Sequence, residues 1–72
     1  MSRLPVVSGR EIIKALGRIG YYVRDQESSH VHLRHPQRKP LTILYHKEIA
    51  RGTLRAIIRD AELTVEEFRE LL

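Results

Sequence analysis

The spacing of apolar residues changes twice along this chain, and those two changes limit the folds open to it. Between Ser8 and Gly20 the apolar residues Ile12, Ile13, Leu16 and Ile19 recur at helical spacing. From Tyr21 to His46 the pattern turns to alternation, and helical spacing returns in Leu54, Ile57, Ile58 and Ala61. A helix, a run of short strands and a second helix are expected in that order. Ser8-Gly9-Arg10-Glu11 is a capping box: the serine hydroxyl accepts from the glutamate N–H while the glutamate carboxylate reaches back to the serine N–H. Gly20 supplies the residue with φ > 0 that ends such a helix. Thr64-Val65-Glu66-Glu67 repeats the box and opens a last short helix whose Phe68, Leu71 and Leu72 are expected to seat on the same core, and Thr53 is placed as a cap or packing residue at the start of the second helix.

Three strands fill the middle: Tyr21 to Gln26, the stretch from Ser28 to Pro36, and Leu41 to His46. Glu27 to Ser29 is read as a tight link. Pro36-Gln37-Arg38-Lys39-Pro40 is read as a turn that sends Arg38 and Lys39 into solvent. Short links imply an antiparallel meander, and helices on one face of such a sheet make an α+β fold. On the second strand Val31 and Leu33 then face the core, whereas His30, His32 and Arg34 face outward. Strands one and three are expected to complete the core, the third with Leu41, Ile43 and Tyr45 on one side. Tyr21 and Tyr22 are read as core and strand-face residues.

Seventy-two residues make a single small domain, 1–72, and with no cysteine its stability must come from apolar packing. No apolar run approaches the roughly 20 residues of a membrane span, and the first residues do not form a signal peptide, so a cytoplasmic protein without membrane contact is expected. The first sixty residues carry twelve basic and five acidic side chains, the last twelve one and four. Basic rows run through Arg10, Lys14 and Arg18 and through Arg51, Arg55 and Arg59. Such a body suits a polyanion, most often nucleic acid.

Three of the four histidines lie between Ser28 and Pro36. RNA carries its own nucleophile, the 2′-hydroxyl, so a base that takes its proton and cations that hold the phosphate suffice for cleavage. With an unperturbed pKa of about 6.5, a histidine such as His30 suits the base. His32, one pleat repeat along, can be the general acid, an RNA contact or an exposed bystander, and the residues do not decide among these. His35 reads as a turn residue and His46 as a strand-end or core-edge one. A zinc site from His30 and His32 with His35 or Glu27 is an alternative without ligand spacing to support it.

Several pieces then point the same way: the capped first helix with Ile12, Leu16 and Gly20, the Ser29-His30 pair followed by Arg34-His35-Pro36, the run Gly52-Thr53-Leu54-Arg55-Ala56-Ile57, and the segment Leu63 to Leu72. In these, from Ser8 to Leu72, the chain resembles the HicA family of small toxins, ribonucleases of bacterial and archaeal toxin–antitoxin pairs. The resemblance implies a fold like a double-stranded-RNA-binding domain and cleavage of mRNA with no metal and no cofactor. It also implies a HicB-type antitoxin partner that covers the active face. By the family's Gly-Ser-His motif, His30 is the catalytic residue. From charge and position, RNA contacts are expected at Ser29, His32, Arg34, Arg38, Lys39 and Lys14. Two positions depart from the pattern. Ser28 stands where the family usually has glycine, and Pro36 to Pro40 replaces the usual Asp-Gly between the second and third strands. The competing readings are a non-catalytic RNA-binding module of the same fold and a purely structural interaction protein.

Overall fold

A computed structural model describes residues 3–72 as α1 (Gly9–Gly17), β1 (Tyr22–Glu27), β2 (His30–Arg34), β3 (Leu41–Leu44), α2 (Arg51–Asp60) and α3 (Val65–Glu70). The strands form one antiparallel sheet in the order β1-β2-β3. Helix and meander therefore fall as the apolar spacing requires, and the order is consistent with a double-stranded-RNA-binding-domain-like arrangement. Among the described residues no helix is long and apolar enough to cross a membrane.

Both capping boxes form in full, on Ser8 with Glu11 and on Thr64 with Glu67. The regular part of α1 stops at Gly17, and one tighter turn carries the chain to Gly20 at φ 106°. There the Gly20 N–H donates to the Gly17 carbonyl and the Tyr21 N–H to that of Leu16, so the last carbonyls of the helix are satisfied. α2 starts without a side-chain cap: its N-cap is Ala50, and Thr53 is exposed within the helix rather than capping or packing at its start. At its other end Glu62 takes φ 62°, and the Glu62 and Leu63 N–H groups donate to Arg59 and Ile58.

One cluster gathers the core, with Ile12, Leu16, Leu33, Ile43, Leu54 and Phe68 its largest fully buried members. Val31 and Leu33 face it, as the alternation requires. The first strand does not contribute: all six residues of β1 are exposed, and Tyr21, expected inside that strand, is buried just before it. Tyr45 and Leu72, also expected on the core, are each 49% exposed, because β3 ends at Leu44 and α3 at Glu70.

The segment before α1, for which no element is expected, is part of the core through Leu4 and Val7. Backbone bonds hold it: the Ile49 N–H donates to the Val7 carbonyl and the Gly9 N–H to that of His46, both at 2.9 Å. Arg69 reaches across from α3 to the Arg3 carbonyl. The approach at Gly9 is so close that a Cβ there would lie 1.9 Å from the Leu44 carbonyl oxygen.

The turn between β2 and β3 is tied down from several sides. The Tyr21 hydroxyl donates to the Lys39 carbonyl at 2.9 Å, and the Tyr21 ring tilts against that of His35 with centroids 4.8 Å apart. Arg38 does not project into solvent. Its Nη1 donates to the Ala61 carbonyl at 2.6 Å, placing a cation on the negative end of α2. Lys39 is exposed, as expected. Burial holds the Tyr21 phenol above its usual pKa, against the opposing charge of Arg38.

Two outcomes follow. Gly9→Ala must push backbone from backbone, so we expect a loss of about 2 kcal/mol, seen as a fall of roughly 10 °C in the melting temperature by circular dichroism. The Tyr21 phenol, whose folded pKa is raised, contributes stability that is complete below its ordinary value of 10.0 and lost as pH rises through the folded value. Tyr21→Phe should cost about 1 kcal/mol at neutral pH, by losing the Lys39 bond, and should flatten that alkaline loss in urea titrations.

Candidate active site on the open sheet face

A two-residue hairpin loop, Ser28-Ser29, joins β1 to β2 and pairs Glu27 with His30 across it. Ser28 takes φ 54°, the left-handed region for which such loops prefer glycine. The Gln26 side-chain amide donates to the Ser28 carbonyl, and the Ser29 carbonyl accepts from the Tyr45 N–H at 2.7 Å. The turn thus keeps the geometry a glycine would allow. His30 follows as the first residue of β2 and is exposed.

From that turn the register sets the face. Glu27 lies opposite His30, Asp25 opposite His32 and Tyr22 opposite Arg34, and residues directly opposite one another project to the same side. A bulge between Val23 and Asp25 leaves Arg24 unpaired and reverses the parity of the strand. The two-residue turn already sets Glu27 and Asp25 on the histidine face; beyond the bulge, Tyr22 in place of Val23 lies opposite Arg34. On the other side of β2, Leu44 and Thr42 lie opposite His30 and His32.

His32 stands at the middle of this array, about one third exposed. Its Nδ1 is 3.1 Å from the Thr42 hydroxyl, and its Nε2 is 3.4 Å from a Glu27 carboxylate oxygen. The hydroxyl can accept or donate, so either tautomer, or the imidazolium, satisfies Nδ1. Arg34 closes the row at the end of β2, half-buried.

The other assigned residues do not all join them. Lys14, with Arg10 and Ile13, borders a depression floored by Val23, Gln26 and Val31. Val23, Gln26 and Val31 take the opposite parity from His30, so Lys14 sits on the helical side of the sheet. Arg38 is held against α2. His35 is structural in its hydrogen bonding: Nδ1 accepts from the Gln37 N–H at 2.9 Å, so Nε2 carries the proton and donates to the Ile19 carbonyl at 2.7 Å. With both its nitrogens engaged, it is not a third ligand for His30 and His32. Among the described residues no group of three or more His, Cys, Asp or Glu side chains is arranged to hold a metal ion. His46 lies beyond the end of β3, exposed.

Sequence reasoning missed the roles of Glu27, Asp25 and Thr42. A signal was present, since a two-residue loop at 28–29 pairs Glu27 with His30 and Asp25 with His32 by counting. Reading 27–29 as the link hides that register.

Compared with known families, the chain matches the model described as the HicA toxin of bacterial toxin-antitoxin systems over residues 9–63. No curated protein matches it.

At the turn, Ser28→Gly relieves a left-handed serine. We expect a gain of about 0.5 kcal/mol, read as a higher urea midpoint with unchanged slope.

Proposed function

The chain belongs to the HicA toxin family, and on that premise we propose that it is the toxin of a toxin–antitoxin pair, an endoribonuclease that cleaves mRNA without a metal and with His30 as general base. The position of His30 carries this reading. It is exposed, it opens β2, and it shares with His32 and Arg34 the sheet face opposite to the one on which Val31 and Leu33 are buried. A ribonuclease of this kind needs a side chain near neutral pKa beside the 2′-hydroxyl and a cation beside the phosphate, and RNA itself supplies the nucleophile.

An RNA strand lying along β2 meets Ser29 and His30 at one end and Arg34 at the other, a span of roughly 13 Å at strand rise. Lys39, on the turn beyond Arg34, and Lys14, on the helical side, suit phosphates of flanking nucleotides; Arg38 can contribute only by leaving the Ala61 carbonyl. A HicB-type antitoxin seated over His30 would keep such a face from acting on cellular mRNA, and the cytoplasm is where both would meet it. A non-catalytic RNA-binding module is the second reading, favoured by the placement of Arg10 and Lys14 away from His30.

The deciding experiment is cleavage of mRNA in EDTA by wild type and His30→Ala. We expect wild type to cut and the variant to lose at least about 10²-fold in rate while still binding RNA. Retained cleavage in the variant removes His30 from the role, arrest by EDTA overturns the metal-free mechanism, and binding without cutting by wild type selects the module.

A further inference from the structure

Cleavage through the 2′-hydroxyl moves two protons, one off the attacking oxygen and one onto the departing 5′-oxygen. His30 accounts for the first. The array around His32 accounts for the second, and we propose that His32 is the proton donor to the 5′-oxygen; this rests on the endoribonuclease reading above.

Three observations carry it. First, His32 follows His30 by two residues on one strand, so the two rings rise from the same face with Cα atoms roughly 7 Å apart. That separation lets one imidazole reach each of the two apical oxygens of an in-line displacement. Second, an anionic oxygen already lies in front of Nε2: Glu27 Oε1, at 3.4 Å, on a side chain that is 82% exposed. That carboxylate oxygen is an acceptor for an Nε2 proton, and it is free to swing aside when a phosphate brings its own oxygens to the same place. Third, the Thr42 hydroxyl at 3.1 Å takes up Nδ1 and fixes the ring plane, leaving Nε2 as the nitrogen that delivers the proton.

The neighbours exclude themselves from the same task. Arg34 offers a guanidinium, which serves as a fixed cation for phosphate and not as a proton donor. His35 spends its Nε2 proton on Ile19 and its Nδ1 lone pair on Gln37. The charged groups facing His32 are Glu27 and Asp25 from β1, with His30 and Arg34 along β2; β3 presents only the Thr42 hydroxyl and Leu44.

The step balances without any further reactant. The 2′-oxygen gives its proton to His30 and bonds to phosphorus. The bond from phosphorus to the 5′-oxygen breaks, and that oxygen takes the Nε2 proton of His32. The products are a 2′,3′-cyclic phosphate and a free 5′-hydroxyl, and exchange with water resets the two rings.

A leaving group that needs no proton separates donor from base. At the position where wild type cuts, two oligonucleotides are compared under single-turnover conditions in EDTA, one with the natural 5′-oxygen and one with sulfur in its place. We expect His32→Ala and His32→Gln, shown folded by circular dichroism, to cut the natural linkage about 10²-fold more slowly and the sulfur linkage at about the wild-type rate. His30→Ala should be slow on both. Wild-type rates by His32→Ala on the natural linkage, or equal slowing on both linkages, would overturn the assignment while leaving His30 in place. Normal cutting of both linkages by His30→Ala would instead sink the reading on which it rests.

Discussion

The buried side chains of β2 and β3 all lie on one side of a three-stranded sheet, and the rest of the molecule follows from that asymmetry. A chain this short can fill one core and no more. The helices, the segment before α1 and the inward residues of β2 and β3 supply it, and no polar or charged residue is buried among the described ones. The opposite face is released from any duty to stability, so it can hold histidines, carboxylates and a hydroxyl in partial exposure. Side chains there keep their water and their freedom to exchange partners, which proton transfer requires.

What was legible in the residues was whatever depends on near neighbours. Helical stripes, both capping boxes, the left-handed Gly20 and the inward pair Val31 and Leu33 all rest on spacings of two to four residues. What was not legible joins distant positions. Arg69 bonds to Arg3, and Arg38 reaches Ala61, contacts that no local pattern announces. The close approach at Gly9 belongs to the same class: the capping box explains a helix beginning there, but only the backbone of β3 explains why that residue has no side chain.

The site divides along the same line. Alternation along β2 brought His30, His32 and Arg34 together without any knowledge of the rest of the sheet. Their company depends on register, and the register beside the histidines is set by the two-residue turn at Ser28-Ser29. That turn puts Asp25 and Glu27, not Arg24 and Gln26, on the histidine face, and the bulge further along β1 changes only what lies opposite Leu33 and Arg34. The face is consequently less cationic than the overall charge of the chain suggests. The histidines also separate by environment, since His35 serves the turn and His32 the open face, although both stand on the same short run.

β1 places none of its six side chains in the core. Its outward edge and both of its surfaces meet solvent, while backbone pairing with β2 and the Glu27–His32 contact keep it in the sheet. Drift in these six residues is therefore uncoupled from folding, so this strand can change its surface chemistry over evolutionary time, tracking whatever lies against it, without risk to the fold that carries the histidines.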